Sequence, residues 1–395
     1  MMRIGIDDIS LYVPGFFLPL ATLAKVHNID PNKYLLGIGQ EKMAVPPPDE
    51  DIVSMAANAA KPLLTPLVME SISTVILATE SGVDQSKSAG LFIHGILNLR
   101  ANCRVIEFKQ ACYGATAGLQ MACALVNQRP NERILVIASD ISCYQPNTDA
   151  ECTEGAGAIA MIVSQSPRIL NIHPYQGRYS FDVMDFWRPN QHKMAFVDGK
   201  LSIEMYLESL KQTWQNYRLD GGLPLSSLRH LCFHLPFTKM AQKAFSIFEA
   251  IEPKAAKDIG PQSYTTSQIY GRDIGNCYTA SLYIALLSLL ENSTEDLSEQ
   301  NIGLFSYGSG CVGEFFSASV VKGYNTHLRK TEHHRLLQSR HELNYEQYLV
   351  WFYQDIDPQI GSYELPQLTC GRYRFNGSKN HCRQYENSQQ SQKGN

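Results

Sequence analysis

Apolar positions along the chain switch between two periods. RIGIDDISLYV (3–13) alternates apolar and polar residues, which predicts a strand. PPPDEDIVSMAANAAKPLL (46–64) runs from prolines to acids to small residues, the order of a helix start. STVILATESG (73–82) reads as a buried strand entering a polar turn. A helix near 88–99, a strand near 104–108 and a small-residue helix after Cys112 follow. ERILVIASD (132–140) and AGAIAMIVS (156–164) read as two further apolar strands. Strands alternating with helices predict an α/β fold whose sheets are covered on both faces.

The plan recurs from about residue 166. LRHLCFHLPF (228–237) is a strand entering a loop, as VILATESG is. GNCYTASLYIALLSLLEN (275–292) opens a small-residue helix, as ACYGATAGLQMACAL does. IGLFSYGSGCVGEFFSASVV (302–321) reads as two strands joined by a glycine turn. The repeat is topological rather than literal. It predicts two similar halves, 1–165 and 166–325, with matching strand ends and helix starts meeting near a pseudo-twofold axis. Glu80, Cys112, His234 and Asn276 occupy such ends. Residues 326–373 read as a helical extension, with His333 and His334 on a solvated face. Residues 374–395 are polar and without periodicity, which predicts a disordered tail.

Of the 395 residues, 44% are hydrophobic and 18% charged, enough for a large core. A net charge of −4, with no basic run interleaved with aromatics, sets nucleic-acid binding aside. Asp7 and Asp8 interrupt the apolar stretch a signal peptide would need. TASLYIALLSLL (279–290) is too short to span a bilayer. A soluble cytoplasmic protein is expected. Ten cysteines include no CxxC pair and no zinc-like Cys/His spacing, so most are expected to be small core residues in a reducing compartment.

Cys112 stands apart, because it lies where a strand ends and a helix begins. A helix N-terminus offers unpaired N–H groups and about half a positive charge, conditions that lower a thiol pKa. Gly114, Ala115, Thr116, Ala117 and Gly118 keep the first turns slim enough for a substrate to approach. Glu80 alone reads as a turn carboxylate, His234 as a core or loop histidine and Asn276 as an N-cap. Together with Cys112 they supply a nucleophile, a carboxylate, an imidazole and an amide. Two other patterns fail. GAGAIA (155–160) fits GxGxxA but runs into a strand instead of a helix. The order Cys112, His234, Asn276 is that of a papain-like protease, yet the CGSCW-type flank is missing.

With these residues in place, the chain resembles the 3-hydroxy-3-methylglutaryl-coenzyme A (HMG-CoA) synthase family of the thiolase superfamily, in its compact bacterial branch. The resemblance spans about residues 1 to 325. It rests on YLLGIGQEKMAVPP, ATESGVDQSKS, ACYGAT, YSFDVMDFWRP, VDGKLSIEMYL, CFHLPFTKM, GNCYTASLY and LFSYGSG. It implies a five-layered α/β/α/β/α fold of two duplicated halves, assembled as a homodimer. It also implies condensation of acetyl-CoA with acetoacetyl-CoA and water to HMG-CoA and CoA, through an acetyl-cysteine. The family's nucleophile falls on Cys112, its acid/base on Glu80 and its acetoacetyl-holding histidine on His234. Supporting acids fall on Asp84, Asp140 and Asp185. CoA and acyl contacts fall on Asp30, Thr153, Ser202, Lys239, Lys243, Asn276 and Ser309. Cys152 stands where the family usually has proline. No metal or redox cofactor is implied, because the thioester itself acidifies the carbon. The nearest alternative is a polyketide β-branching relative acting on carrier-bound acyl chains. A non-enzymatic scaffold of the same fold would show no Cys112 reactivity.

Overall fold

A computed structural model describes residues 2–190, 192–353 and 360–388. The first half supplies strands β1 (Ile4–Tyr12), β2 (Ile72–Ala78), β3 (Arg104–Phe108), β4 (Arg133–Ile141) and β5 (Ala156–Gln165). The second supplies β6 (Leu170–Ser180), β7 (His230–Phe233), β8 (Asn301–Gly308) and β9 (Val312–Val320). They form a 9-stranded sheet in the order β7-β8-β9-β6-β1-β5-β4-β2-β3. Pairing repeats across the halves. β2 runs parallel to β4 as β7 does to β8. β4 and β5 are antiparallel, like β8 and β9. β5 pairs antiparallel with β1, as β9 does with β6. Among the described residues no second-half strand answers to β3. The two half-sheets join where Gly5 and Ile6 meet Asn171 and Leu170. A Cβ on residue 5 would lie 2.0 Å from the Leu170 carbonyl oxygen, so only glycine permits this seam.

The layers follow from which helix faces are apolar. α1 (Ile52–Ala60) and α2 (Ala89–Ile96) cover the outer face of the first half-sheet. α3 (Gly114–Gln128) lies inside, while α4 (Gly199–Leu219) and α5 (Met240–Ile251) cover the outer face of the second half-sheet. α6 (Ser281–Asn292) is buried on nearly every face and joins α3 between the half-sheets. Five layers, α/β/α/β/α, result. No helix among the described residues is long and apolar enough to cross a membrane.

Two expectations for the C-terminal region are corrected. α7 (Lys330–Gln338) and α8 (Tyr345–Tyr353) are helical as expected, but His333 is buried rather than solvated. Its Nδ1 lies 2.8 Å from Glu291 Oε1, and its Nε2 accepts the Leu11 N–H. Residues 373–387, expected to be disordered from 374, form a hairpin of β10 (Tyr373–Lys379) and β11 (Cys382–Asn387). Polar pairing orders this segment. Asp49 accepts the Leu368 and Thr369 N–H groups and faces Arg374 at 3.2 Å. Asp51 accepts from Arg383 and Tyr385, and Asn58 exchanges two bonds with Tyr373. The last part of the expected tail, 389–395, lies outside the described residues.

Candidate active site

Cys112 lies two residues before α3, on a turn whose preceding residue, Ala111, has φ +44°. A non-glycine residue held there costs about 1 kcal/mol and marks a turn fixed by its surroundings. Gly308 packs against that turn, and a Cβ on it would lie 2.6 Å from the Gln110 carbonyl oxygen. Glu80 follows the end of β2. The Cys112 thiol donates to Glu80 Oε1 at 2.9 Å. The two residues are 32 apart in sequence, and the parallel pairing of β2 with β3 brings their strand ends together.

The expectation that the helix N-terminus lowers the Cys112 pKa is reversed. Burial pushes the thiol well up, and the Glu80 charge adds to it. Burial also raises Glu80 to about 8, with the nearby Asp140 charge contributing. Both groups are therefore largely protonated at neutral pH, and a thiolate forms from the fraction in which Glu80 is ionised and accepts the thiol proton. Tyr144, Phe186 and Tyr278 pack edge-on to one another beside Cys112.

His234 follows β7, the counterpart of β2. Its N–H donates to the Phe305 carbonyl, and its own carbonyl accepts the Tyr206 hydroxyl at 2.8 Å. Burial lowers its pKa to about 3, so the ring is neutral. Nδ1 has no partner among the described residues. Asn276 precedes α6 as Cys112 precedes α3. Its Oδ1 accepts from Tyr278 N–H and Ser281 Oγ, both at 2.9 Å, leaving the NH2 end for the cavity it lines.

Cys112, His234, Thr153, Ser202, Lys243, Asn276 and Ser309 line one cavity of about 830 Å³. Glu80 and Asp84 line a second, of about 870 Å³; Phe186 and Ser309 border both. Asp30 and Lys239 line neither. Asp30 is exposed and accepts the Asn32 N–H, and Lys239 donates its backbone N–H to Ile38 just before α5. Asp84 is spent on the N–H groups of Ser86 and Lys87.

Asp140 and Asp185 act from behind. Asp140 is buried and accepts from Thr79, Glu80 N–H and Ser81 through Oδ1, and from Thr279 through Oδ2. It thus ties the Glu80 turn to the central helices' start in the second half. Asp185 accepts from the Tyr307 hydroxyl and the Gly310 N–H, each at 2.8 Å, and so fixes the SYGSG loop. Arg188, three residues on and not singled out from the sequence, donates to the Glu80 carbonyl oxygen. Tyr144, Tyr206 and Tyr278 were missed as well. Arg188, Tyr206 and Tyr278 lie inside strings that carried the resemblance, YSFDVMDFWRP, VDGKLSIEMYL and GNCYTASLY, and that was their only signal.

A duplicated five-layered fold with a cysteine at a central helix tip, facing a carboxyl group and an imidazole from equivalent strand ends, defines a thiolase-like condensing enzyme. The family model "Hydroxymethylglutaryl-coenzyme A synthase N terminal" matches residues 2–167, and its C-terminal companion matches 173–259 and 248–354. The chain belongs to the hydroxymethylglutaryl-CoA synthase family. It is 42% identical to the hydroxymethylglutaryl-CoA synthase of Enterococcus faecalis over 98% of this chain and 100% of that one. It is 33% identical to the polyketide biosynthesis 3-hydroxy-3-methylglutaryl-ACP synthase of Bacillus subtilis, over 89% of this chain and 88% of that one. A solved HMG-CoA synthase complexed with CoA superposes with a TM-score of 0.94 at 38% identity, covering 98% of this chain and 100% of the other.

Proposed function

We propose that this chain condenses acetyl-CoA with acetoacetyl-CoA and water to give HMG-CoA and CoA, with acetyl-Cys112 as intermediate. The observation that carries the reading is the 2.9 Å contact between the Cys112 thiol and the Glu80 carboxylate, with His234 across the same cavity as Cys112. Glu80 takes the thiol proton, the sulfur attacks the acetyl carbonyl, and CoA departs as its thiol with that proton, which returns Glu80 to the carboxylate. The Gly310 N–H is committed to Asp185, so the backbone N–H groups of Cys112 and Ser309 are the donors for the oxyanion. One such donor is typically worth about 3 kcal/mol.

Acetoacetyl-CoA then enters. Glu80 removes a proton from the acetyl methyl, and the resulting carbanion attacks the C3 carbonyl that His234 orients. A neutral imidazole N–H polarises that carbonyl as a hydrogen-bond donor. Glu80 returns its proton to the new alkoxide. Water finally cleaves the thioester at Cys112. Lys243 and Ser202 on the cavity wall suit the CoA chain, which favours free CoA over a carrier protein. Thr153, Asn276 and Ser309 contact the acyl and pantetheine portions. Asp30, Asp84 and Lys239 lie outside the cavity that holds Cys112.

This reaction needs no cofactor, since the thioester supplies the carbon acidity. The product suits the mevalonate route to isoprenoids in the cytoplasm. β3 forms an open edge of the sheet, and a second copy covering its free N–H and C=O groups would give a homodimer. Brief exposure to acetyl-CoA followed by mass spectrometry tests the reading. An acetyl group on the Cys112 peptide is expected, and its absence would overturn it. Acetyl carrier protein serving better than acetyl-CoA would move the assignment to polyketide β-branching.

A further inference from the structure

The partition between the two cavities is one residue thick. Cys112 faces the first and Ala111 the second; Tyr144 faces the first and Cys143 the second; Phe186 and Ser309 border both. Glu80, hydrogen-bonded to Cys112, faces the second. The first cavity carries the residues suited to CoA, and it is occupied by the thioester chain whenever an acyl group stands ready for hydrolysis. Water therefore has to reach the acyl carbon from another side.

The second cavity has the lining for that task. Glu107, Lys109, Arg188 and Glu50 contribute to its wall. Its wall is polar and charged, and a volume of about 870 Å³ is ample for ordered water.

We propose that the second cavity is the water route for the hydrolytic step, opening on the Glu80 side of Cys112 while CoA fills the other. This rests on the acyl-Cys112 reading. A water molecule entering past Glu80 attacks the thioester carbonyl carbon, forming a C–O bond as the C–S bond breaks. One water proton passes to the Glu80 carboxylate and from there to the departing sulfur, which restores the thiol. The acid product leaves with its CoA through the first cavity.

Gln85 and Asn190 line the second cavity, are exposed and take no part in the chemistry. Gln85→Trp and Asn190→Trp, singly and combined, narrow it. Acetylation of Cys112 should stay within about two-fold of the native rate, while hydrolysis of the acyl-enzyme slows by about ten-fold or more in the double variant. The HMG adduct on the Cys112 peptide should then accumulate, read by rapid-quench mass spectrometry. Native hydrolysis in a normally acetylating double variant would overturn the water route. Equal slowing of both steps would also overturn it, assigning the effect to general distortion. Failure of the native chain itself to take up acetyl would instead sink the acyl-enzyme reading.

Discussion

The Cys112 thiol and the Glu80 carboxylate share a proton across 2.9 Å, and this sets the pH behaviour of the first step. With Glu80 raised to about 8 by burial and Cys112 raised further, the reactive form has one proton on the pair. Below about pH 8 both groups are protonated and the thiol has no base. Single-turnover acetylation should therefore rise with pH through about 8. His234, lowered to about 3 by burial, adds no limb near neutrality. A limb near 6.5 that disappears in His234→Ala would contradict this assignment.

The same shift predicts a stability effect. Glu80 holds its proton to about 8 in the folded chain, against an ordinary value of 4.5. Between these values the unfolded chain has lost a proton that the folded chain keeps, so rising pH disfavours folding at this site. Glu80→Gln removes that penalty. Its melting temperature should exceed the native value at pH 9, and the difference should vanish below about pH 4.5. The variant should also acetylate slowly and lose condensation by about 100-fold or more, since its amide cannot take a proton. An unchanged condensation rate would place the base elsewhere.

His234 should reveal itself through the second substrate. Its ring is neutral, lines the cavity with Cys112 and has an unpaired Nδ1. His234→Ala should leave acetylation near native while raising the acetoacetyl-CoA requirement by about ten-fold or more. Steady-state kinetics with varied acetoacetyl-CoA reads this split. Unchanged kinetics would remove His234 from the site.

The strand ends were legible in the sequence because they combine apolar runs with abrupt polar turns. ATESG, ACYGAT and CFHLPF each mark a β-strand stopping at a chemical group. The repeat was legible for the same reason, although the lack of a counterpart to β3 among the described residues was not. What escaped depends on tertiary placement. His333 looks solvated in a charged segment, and only its contacts with Glu291 and the Leu11 N–H, both distant in sequence, show otherwise. The helix-tip argument for Cys112 omitted the adjacent carboxylate, whose charge acts in the same direction as burial. Arg188 carries no local signal, because its partner is a backbone carbonyl over 100 residues away. The hairpin after 373 lacks apolar periodicity and is ordered by acids near residue 50.

Asp140 should prove a positioning residue. Its carboxylate collects donors from Thr79, Glu80, Ser81 and Thr279, and so fixes the Glu80 turn against the second half. Asp140→Ala leaves these buried donors unpaired, at a cost of roughly 3–5 kcal/mol. Calorimetry reads the loss of stability. Acetylation should fall too, with its pH midpoint shifted down, because the Asp140 charge raises Glu80. A purely structural role would leave that midpoint in place.

Asp49 tests what orders the C-terminal hairpin. It is fully buried, accepts two backbone N–H groups and faces Arg374, whose guanidinium also holds Glu386 at 2.8 Å. Asp49→Ala strands the Leu368 and Thr369 N–H groups and leaves a buried cation half paired. Each unmet buried group costs about 1–3 kcal/mol, against a hairpin whose apolar anchorage rests chiefly on Tyr373, Phe375 and Tyr385. The segment should detach while the central layers hold, because α3 and α6 bury their own apolar faces without it. Limited proteolysis should then cut within 365–388 at a protease level that leaves the native chain intact, and acetylation of Cys112 should persist within about two-fold. Native resistance in the variant would mean that Asp51 and Asn58 alone hold the hairpin. Loss of acetylation would mean that the hairpin supports the site and not merely the edge of the fold.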